Sequence, residues 1–467
     1  MFVMKMQDQD KVDILRVRMS PTQLIPLSFM LVIILGALLL LLPISHAPGE
    51  ETSFTTALFT STTSVCVTGL VVVDTYSHWS LFGQFVILVL IQVGGLGVVA
   101  VGAMIMMLWK KKFFLWARVL IGDSLNIDRR RGILYILTRI FKGVAIVEGC
   151  GTIIYAVKFV PILGPARGMW AALFQSVSAF CNAGMDVVGP NSMEDFNTSP
   201  LLMILTMILI ILGGIGFVVW FDITDGIRTA VKNRFAPSQM ISHLSEHTKL
   251  VIFMTVWLIL LGALCIFVAE YNNPDTLGNM SLADKILNSF FQSVTFRTAG
   301  FASVPQEKLT EISCLMGFVQ MFIGGSPVGT AGGIKTVTAF LFFMNARSYI
   351  KGHKENVIFK RSVSQDMMRK SSAVVFVSMV TVFVMTTALI AESGVHLTSA
   401  LFEVTSALGT VGLSRALTPD LDTLGRLIII FSMYLGRIGP ISMAIFFVKS
   451  GPVANEIKHA EGTFYVG

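Results

Sequence analysis

Apolar positions along this chain gather into long runs, and the runs come in pairs. The first members lie near Leu24–Leu42, Ile133–Val160, Leu250–Ala269 and Ala373–Ala391; the second lie near Leu81–Leu108, Leu201–Phe221, Ile312–Phe343 and Leu427–Val448. Roughly 20 residues of helix cross a bilayer, so the pattern predicts eight crossings. Between the two runs of each pair sits a segment of about ten residues with a helical pattern that ends in one glycine. It is too short to span, so it is expected to enter the membrane and leave on the same side.

These four segments resemble one another. Ala57-Leu58-Phe59 leads to Gly69, Ala172-Leu173-Phe174 to Gly184, Ser289-Phe290-Phe291 to Gly300 and Ala400-Leu401-Phe402 to Gly412; the glycines are 115, 116 and 112 residues apart. Self-similarity at a fixed period marks a repeat architecture. Two crossings per copy leave every copy pointing the same way, which favours rotation about the membrane normal over inverted repeats. Non-helical backbone is tolerated at membrane depth only where it is buried in protein or lines a water-filled cavity, so four such loops imply a shared central cavity. The expected fold is an all-α polytopic membrane protein of four tandem helix–pore loop–helix repeats around a pseudo-fourfold pore. Repeat one covers 21–109 (pore loop 54–74), repeat two 133–225 (170–190), repeat three 250–346 (285–305) and repeat four 372–449 (398–415). A leader at 1–20, connections at 110–132, 226–249 and 347–371, and a tail at 450–467 complete the chain.

Composition agrees with a membrane protein: 54% of the 467 residues are hydrophobic and 13% charged, against about a quarter charged in soluble domains. Mean hydropathy is +0.74. Residues 1–20 mix Asp, Lys and Arg and lack the apolar core and cleavage site of a removable signal peptide. The net charge of +7 would suggest nucleic acid in a soluble chain, but here its position decides. Lys110, Lys111, Lys112, Arg118 and Arg129–Arg131 fill one connection, Arg228, Lys232, Arg234 and Lys249 another, and Arg347, Lys351, Lys354, Lys360, Arg361, Arg369 and Lys370 a third. The alternate connections carry Glu50, Glu51, Asp74, Asp186, Glu194, Asp195, Glu307 and Glu311. By the positive-inside rule the basic connections and both termini are cytoplasmic; the basic excess is topology, with membrane lipid as the partner and no nucleic acid. The five cysteines are scattered singly and read as packing residues.

Four converging loops can replace the hydration shell of a cation with backbone carbonyls, and glycine permits the positive φ that aims them inward. Candidate filter residues are therefore Val67-Thr68-Gly69, Asn182-Ala183-Gly184, Thr298-Ala299-Gly300 and Thr410-Val411-Gly412, with the cation at the carbonyls of the glycines. The second spans match too, through Gly94-Gly95-Leu96-Gly97, Gly213-Gly214-Ile215-Gly216 and Gly436-Arg437-Ile438-Gly439. In those three copies the glycines read as small-residue helix packing. Copy three departs with Gly324-Gly325-Ser326-Pro327-Val328-Gly329-Thr330-Ala331-Gly332-Gly333-Ile334-Lys335, five glycines and a proline in twelve residues, where the span is expected to break into a mobile loop. Arg437 is in register with that break. Charges at such depth are expensive and face a cavity or a partner. Arg297 is expected to brace the filter against Glu403, and Glu148 to be a buried hydrogen-bond partner.

The four glycine loops and the glycine-rich second spans resemble the Trk/Ktr/HKT superfamily of potassium transporters from about Pro21 onward. The resemblance is strongest to the Ktr membrane subunit, since only a short polar leader precedes the first repeat. It implies K+ as substrate with Na+ as an additional candidate ion, no covalently bound cofactor, and potassium selectivity from glycine in all four loops. It implies an intramembrane gate at Gly324, Gly325, Ser326, Pro327, Gly329, Thr330, Gly332, Gly333 and Lys335, with Arg437 as the basic residue beside it. It also implies a homodimer seated on a cytosolic ring of nucleotide-binding regulatory subunits, in a bacterial inner membrane. Enzyme signatures are weak: Gly329–Thr336 lacks the Gly-Lys pair and strand of a P-loop, and Gly95-Leu96-Gly97 lacks a dinucleotide site's downstream acid. The competing class is an alternating-access secondary transporter of Na+ or another monovalent cation.

Overall fold

In a computed structural model, residues 21–108, 133–234, 239, 243–352 and 355–439 are described. The leader, the connection holding Lys110–Arg131, Lys354 and everything after Gly439 lie outside the described residues.

The first spans are long helices: α1 (Pro21–Leu40), α5 (Ile133–Leu163), α9 (Glu246–Glu270) and α13 (Gln365–Ser393). Each turns one apolar face outward and one inward. On α1, Leu27, Leu31, Leu35 and Leu38 are exposed while Phe29, Ile33, Ala37 and Leu40 are buried, as a lipid-facing helix requires. The pore helices are α2 (Phe54–Cys66), α6 (Pro165–Cys181), α10 (Leu282–Thr295) and α14 (Leu397–Gly409). At 13 to 17 residues they are longer than the expected ten; two have polar caps at their outer ends, where Ser53 accepts from Thr56 N and Ser281 from Asp284 N. Their inner halves are almost wholly buried.

Pore helix and first span are tied alike in three copies. Ser61 Oγ donates to Ile33 O at 2.6 Å, Ser176 Oγ to Glu148 O at 2.7 Å and Ser293 Oγ to Ile259 O at 2.9 Å. Three residues beyond each acceptor stands a glycine, Gly36, Gly151 or Gly262, where an added Cβ would collide with that serine hydroxyl.

The second spans of copies one and two, expected as unbroken crossings, are bent. In copy one α3 (Leu81–Leu96) and α4 (Val98–Leu108) meet at Gly97, and the spans bend by 101°; in copy two α7 (Pro200–Gly214) and α8 (Phe217–Asn233) bend by 100° at Ile215-Gly216. Copy three has α11 (Glu311–Phe322), an open stretch, then α12 (Thr336–Ile350); a two-strand hairpin, β1 (Val357–Ile358) with β2 (Arg361–Ser362), follows. In copy four α15 (Thr423–Ile438) stops at Gly439. The cause is the last glycine of each GGLG-like run: Gly97, Gly216 and Gly439 have φ of 91°, 90° and 93°, outside any helix. Close packing also explains the first glycine of each run. A Cβ on Gly94, Gly213 or Gly436 would run into the carbonyl of Val65, Phe180 or Leu408 at the end of a pore helix. By length and composition the described helices provide four membrane spans, or six if each bent pair counts as one.

Candidate functional site

The site begins where the pore helices end. Val67, Asn182 and Thr410 are left-handed C-caps (φ 55°, 60° and 50°), and Thr68 N, Ala183 N and Val411 N each reach back to the carbonyl five residues earlier at 2.8 Å, the pairing that closes a helix end. In copy three Thr298 takes the same region at φ 70°. Two residues on, Gly69, Gly184, Gly300 and Gly412 again have positive φ, of 99°, 65°, 84° and 97°. The left-handed region is costly for Val and Thr, so three of the four copies hold a β-branched residue in strained backbone at one level. Sequence reasoning assigned the unusual backbone to glycine alone.

The glycines meet in a closed ring. A Cβ on Gly69 would lie 2.5 Å from Ala183 O, on Gly184 2.6 Å from Ala299 O, on Gly300 2.5 Å from Val411 O, and on Gly412 closer still to Thr68 O. Each loop therefore leans its glycine on the next loop's carbonyl, in the order one, two, three, four and back to one. The C-terminal ends of the pore helices, with their partial negative charge, border this ring. Around it Thr68 Oγ1, Thr298 Oγ1, Thr410 Oγ1 and Asn182 Nδ2 are buried without a hydrogen-bond partner among the described residues; the hydroxyl oxygens can face a cation or its water, and the amide nitrogen can donate to a water.

Outside the ring opens a cavity of about 420 Å³ lined by the four glycines and by Asp74, Asp186, Glu194 and Glu307. Burial, then Asp74, raises the Asp186 carboxyl to about 7; burial, then Glu307 and Asp195, raises Glu194 to about 7. In the sequence these acids mark only the topology; their convergence on one cavity follows from the fold.

Inside the ring lies the copy-three stretch. It is held by copy two: Ser326 N donates to Gly214 O at 2.9 Å, Thr330 N to Gly213 O at 3.1 Å, and Phe217 N to Val328 O at 2.9 Å. Thr330 Oγ1 stands 3.1 Å from both Phe180 O and Asn182 Oδ1. Gly332 faces copy four so closely that a Cβ there would strike Thr410 Oγ1. The stretch thus runs directly beneath the ring from copy two to copy four, with Gly324, Gly325 and Gly333 folded on themselves through Gly325 N to Gly332 O at 3.3 Å and Ile334 N to Phe322 O at 3.1 Å. Thr336 N to Gly325 O at 3.0 Å and Ser326 Oγ near Thr336 Oγ1 at 3.0 Å close it, and Pro327 carries the chain past Gly216 and Gly329.

Two cations hold this stretch. Lys335 Nζ donates to Ala331 O at 2.7 Å, and Arg437 Nη1 donates to Thr330 O at 2.6 Å while its Nη2 donates to Gly94 O and Gly95 O. Below them is a cavity of about 540 Å³ bordered by Gly97, Gly332, Lys335 and Arg437. Arg297 does not meet Glu403: its Nε has no partner, and the Glu403 carboxylate accepts from Ser414 Oγ at 2.9 Å and from Thr418 Oγ1. The pore-helix carboxylate is satisfied by the loop just beyond its own filter segment, and Arg297 is buried apart from it. Glu148 accepts from Gln92 Nε2 at 3.1 Å.

The cation transport protein family TrkH matches residues 8–458. The chain is 38% identical over 451 residues to Ktr system potassium uptake protein B of Bacillus subtilis, covering 97% of this chain and 98% of that protein. It is 34% identical over 459 residues to the potassium/sodium uptake protein NtpJ of Enterococcus hirae, with the same coverage. The crystal structure of the potassium transporter TrkH from Vibrio parahaemolyticus shares the fold, with a TM-score of 0.73 and 17% identity over 93% of this chain and 86% of that one. With four loops closing on one axis and a family match over nearly its whole length, the chain belongs to the TrkH family of cation transport proteins.

Proposed function

We propose that this protein takes up potassium by channel-like flow through the glycine ring, down the membrane potential, with the copy-three stretch as its gate. The observation that carries the reading is the closed cycle of glycine-to-carbonyl contacts, Gly69 to Ala183, Gly184 to Ala299, Gly300 to Val411 and Gly412 to Thr68. Backbone carbonyls from four loops on one axis can replace a potassium ion's water shell. Val67, Thr68 and Gly69 and their counterparts in the other copies form the filter, and the glycine carbonyls bind the ion. The acidic outer cavity concentrates cations ahead of the filter. A potential of 100 mV contributes about 2.3 kcal/mol per charge, enough for roughly fiftyfold accumulation.

The gate comprises Gly324–Gly333 with Lys335 and Arg437. Seated beneath the ring and latched by the Arg437 guanidinium on Thr330 O, it blocks the inner mouth, and the positive charge repels cations until the latch opens. The relatives' names extend this reading: one is a subunit of a Ktr system, which favours a homodimer on a cytosolic nucleotide-binding ring, and another names sodium beside potassium, which favours sodium as an additional ion. The basic connections put both termini in the cytoplasm of a bacterial inner membrane.

The test is growth of a potassium-uptake-deficient bacterium at low potassium, with and without sodium. Rescue at low potassium is the expected result. An inserted protein that gives no rescue and no potassium flux in vesicles contradicts the reading.

A further inference from the structure

Glu148 is a carboxylate halfway along α5, at a depth where ionisable groups are costly. Packing does not call for it. The equivalent acceptor positions in copies one and three, which receive the pore-helix serine three residues before the close-packed glycine, are Ile33 and Ile259. Only copy two of these three places a carboxylate there, and copy two is the one on which the gate is seated.

Its neighbours form a continuous polar path. Glu148 is buried, with 8% exposure, and its Oε2 accepts from Gln92 Nε2 at 3.1 Å. The Cys181 thiol lies 3.5 Å from Gln92 Oε1 and 3.9 Å from Glu148 Oε1, and donates into this pair. Cys181 is the last residue of α6 and adjoins Asn182, whose Oδ1 faces Thr330 Oγ1 at 3.1 Å. On the other side, Gln92 precedes Gly94 and Gly95 on α3, whose carbonyls accept from the guanidinium that holds Thr330 O. A Cβ on Gly95 would lie 2.7 Å from Cys181 Sγ, so α3 and the end of α6 are closely packed. Thr330 is thereby held at its hydroxyl and at its carbonyl by two ends of the same network.

We propose that Glu148, with Gln92 and Cys181, is a positioning unit that couples the gate to the filter of copy two. When Arg437 releases Thr330, the shift in α3 passes through Gln92 and Glu148 to Cys181 and changes how Asn182–Gly184 is held. Coupling of this kind is a contact network with two arrangements that both sites bias. The inference rests on the filter and gate reading above.

The test uses the full-length protein in proteoliposomes, with potassium and sodium flux and the potassium KM measured for the parent, Glu148→Ile, Glu148→Gln, Gln92→Leu, Arg437→Ala, the Glu148→Ile/Arg437→Ala double variant and Gly69→Ser. Isoleucine is the residue the fold already accommodates at this position in two other copies. Coupled sites typically change one another by about five- to 150-fold. Glu148→Ile and Gln92→Leu are each expected to lower the potassium-to-sodium flux ratio by at least about fivefold, the lower end of that range. Glu148→Gln, which keeps an acceptor for Gln92, should restore most of it. The double variant should differ from the product of the single effects, as residues of one network do.

An inserted Glu148→Ile or Gln92→Leu protein with the parent's flux ratio and KM, and a double variant that multiplies the single effects, would overturn the proposal. If Glu148→Ile fails to fold, Gln92→Leu carries the decision alone. Gly69→Ser separates the two levels: a changed ratio there with no change at Glu148 or Gln92 sinks only this inference, while no change at Gly69 sinks the filter reading beneath it.

Discussion

At the glycine ring the four copies do the same thing, and in the second spans they do not. Each pore loop places a left-handed residue two positions before a positive-φ glycine, and each glycine rests on the next copy's carbonyl. The second spans also depart from straight helix: copies one and two break at one glycine near φ 90°, the described helix of copy four ends at another, and copy three opens twelve residues, Gly324–Lys335, across the axis. On the reading proposed above, the ring faces a symmetric ligand, so every copy must match, while the stretch beneath it serves as a single blocking element, for which one copy suffices. That reading accounts for a fourfold repeat that keeps its symmetry at the ring and loses it beneath.

Breaking the ring gives the largest effect. Alanine at Gly412 must adopt φ 97° and press its Cβ on Thr68 O. Strain of about 1–3 kcal/mol at one loop, plus the backbone collision, predicts a loss of potassium flux of about a hundredfold with insertion intact, measured in vesicles. Flux within twofold of the parent would show that the contact is not tight in the working protein.

Releasing the gate acts in the opposite direction. Arg437→Ala removes the donors to Thr330 O, Gly94 O and Gly95 O, and should raise cation flux about tenfold in the absence of any regulatory subunit, the effect of about 1.4 kcal/mol on the closed state. A folded Arg437→Ala protein with lower flux would instead make Arg437 a structural anchor.

The plain breaks in copies one and two sharpen the contrast further. Gly97 has open space at its Cβ position whereas Gly216 faces Pro327 O in the gate. Gly97→Ala therefore carries only the positive-φ cost of about 1–3 kcal/mol, visible as a lower unfolding temperature with normal flux. Gly216→Ala also displaces the gate and should change flux several-fold more than Gly97→Ala; equal effects would uncouple copy two's break from the gate.

The smallest effect comes from the outer cavity. Because the folded state raises Asp186 and Glu194 to about 7, both lose their negative charge as pH falls through that value, and the cavity loses its pull on cations. The same shift favours folding on the acid side, since these carboxyls hold protons more readily in the folded protein than in the unfolded chain. The potassium KM should rise about two- to fivefold from pH 8 to pH 6 at low ionic strength, and Asp186→Asn should flatten the profile.

Much of this was legible in the residues. The repeat near 115, the four glycines and the odd copy three follow from spacing and composition. The level of Arg437 followed from register with Gly95, Gly214 and Gly325, and its donors do meet that stretch. The breaks at Gly97 and Gly216 and the helix end at Gly439 did not, because a GGLG run inside an apolar segment reads equally as close helix packing, and only φ separates the two. The pairing of Glu403 with Ser414 and Thr418 instead of Arg297 was hidden as well: a short-range hydroxyl contact competes with a distant charge, and sequence separation does not rank them. Nor could the Gln92, Glu148 and Cys181 cluster be read, since its members come from three helices and two repeats.

Selection of the ion by the four glycine loops, as proposed, is read most directly in the ratio of potassium to sodium flux through the purified protein in vesicles, for the parent and for Gly69→Ser. The parent should prefer potassium, and serine at Gly69, with its Cβ forced toward Ala183 O, should admit sodium and bring the ratio down at least about tenfold, as expected when one carbonyl set changes size and field. A parent without preference, or a Gly69→Ser protein that keeps the parent's ratio, would contradict the account.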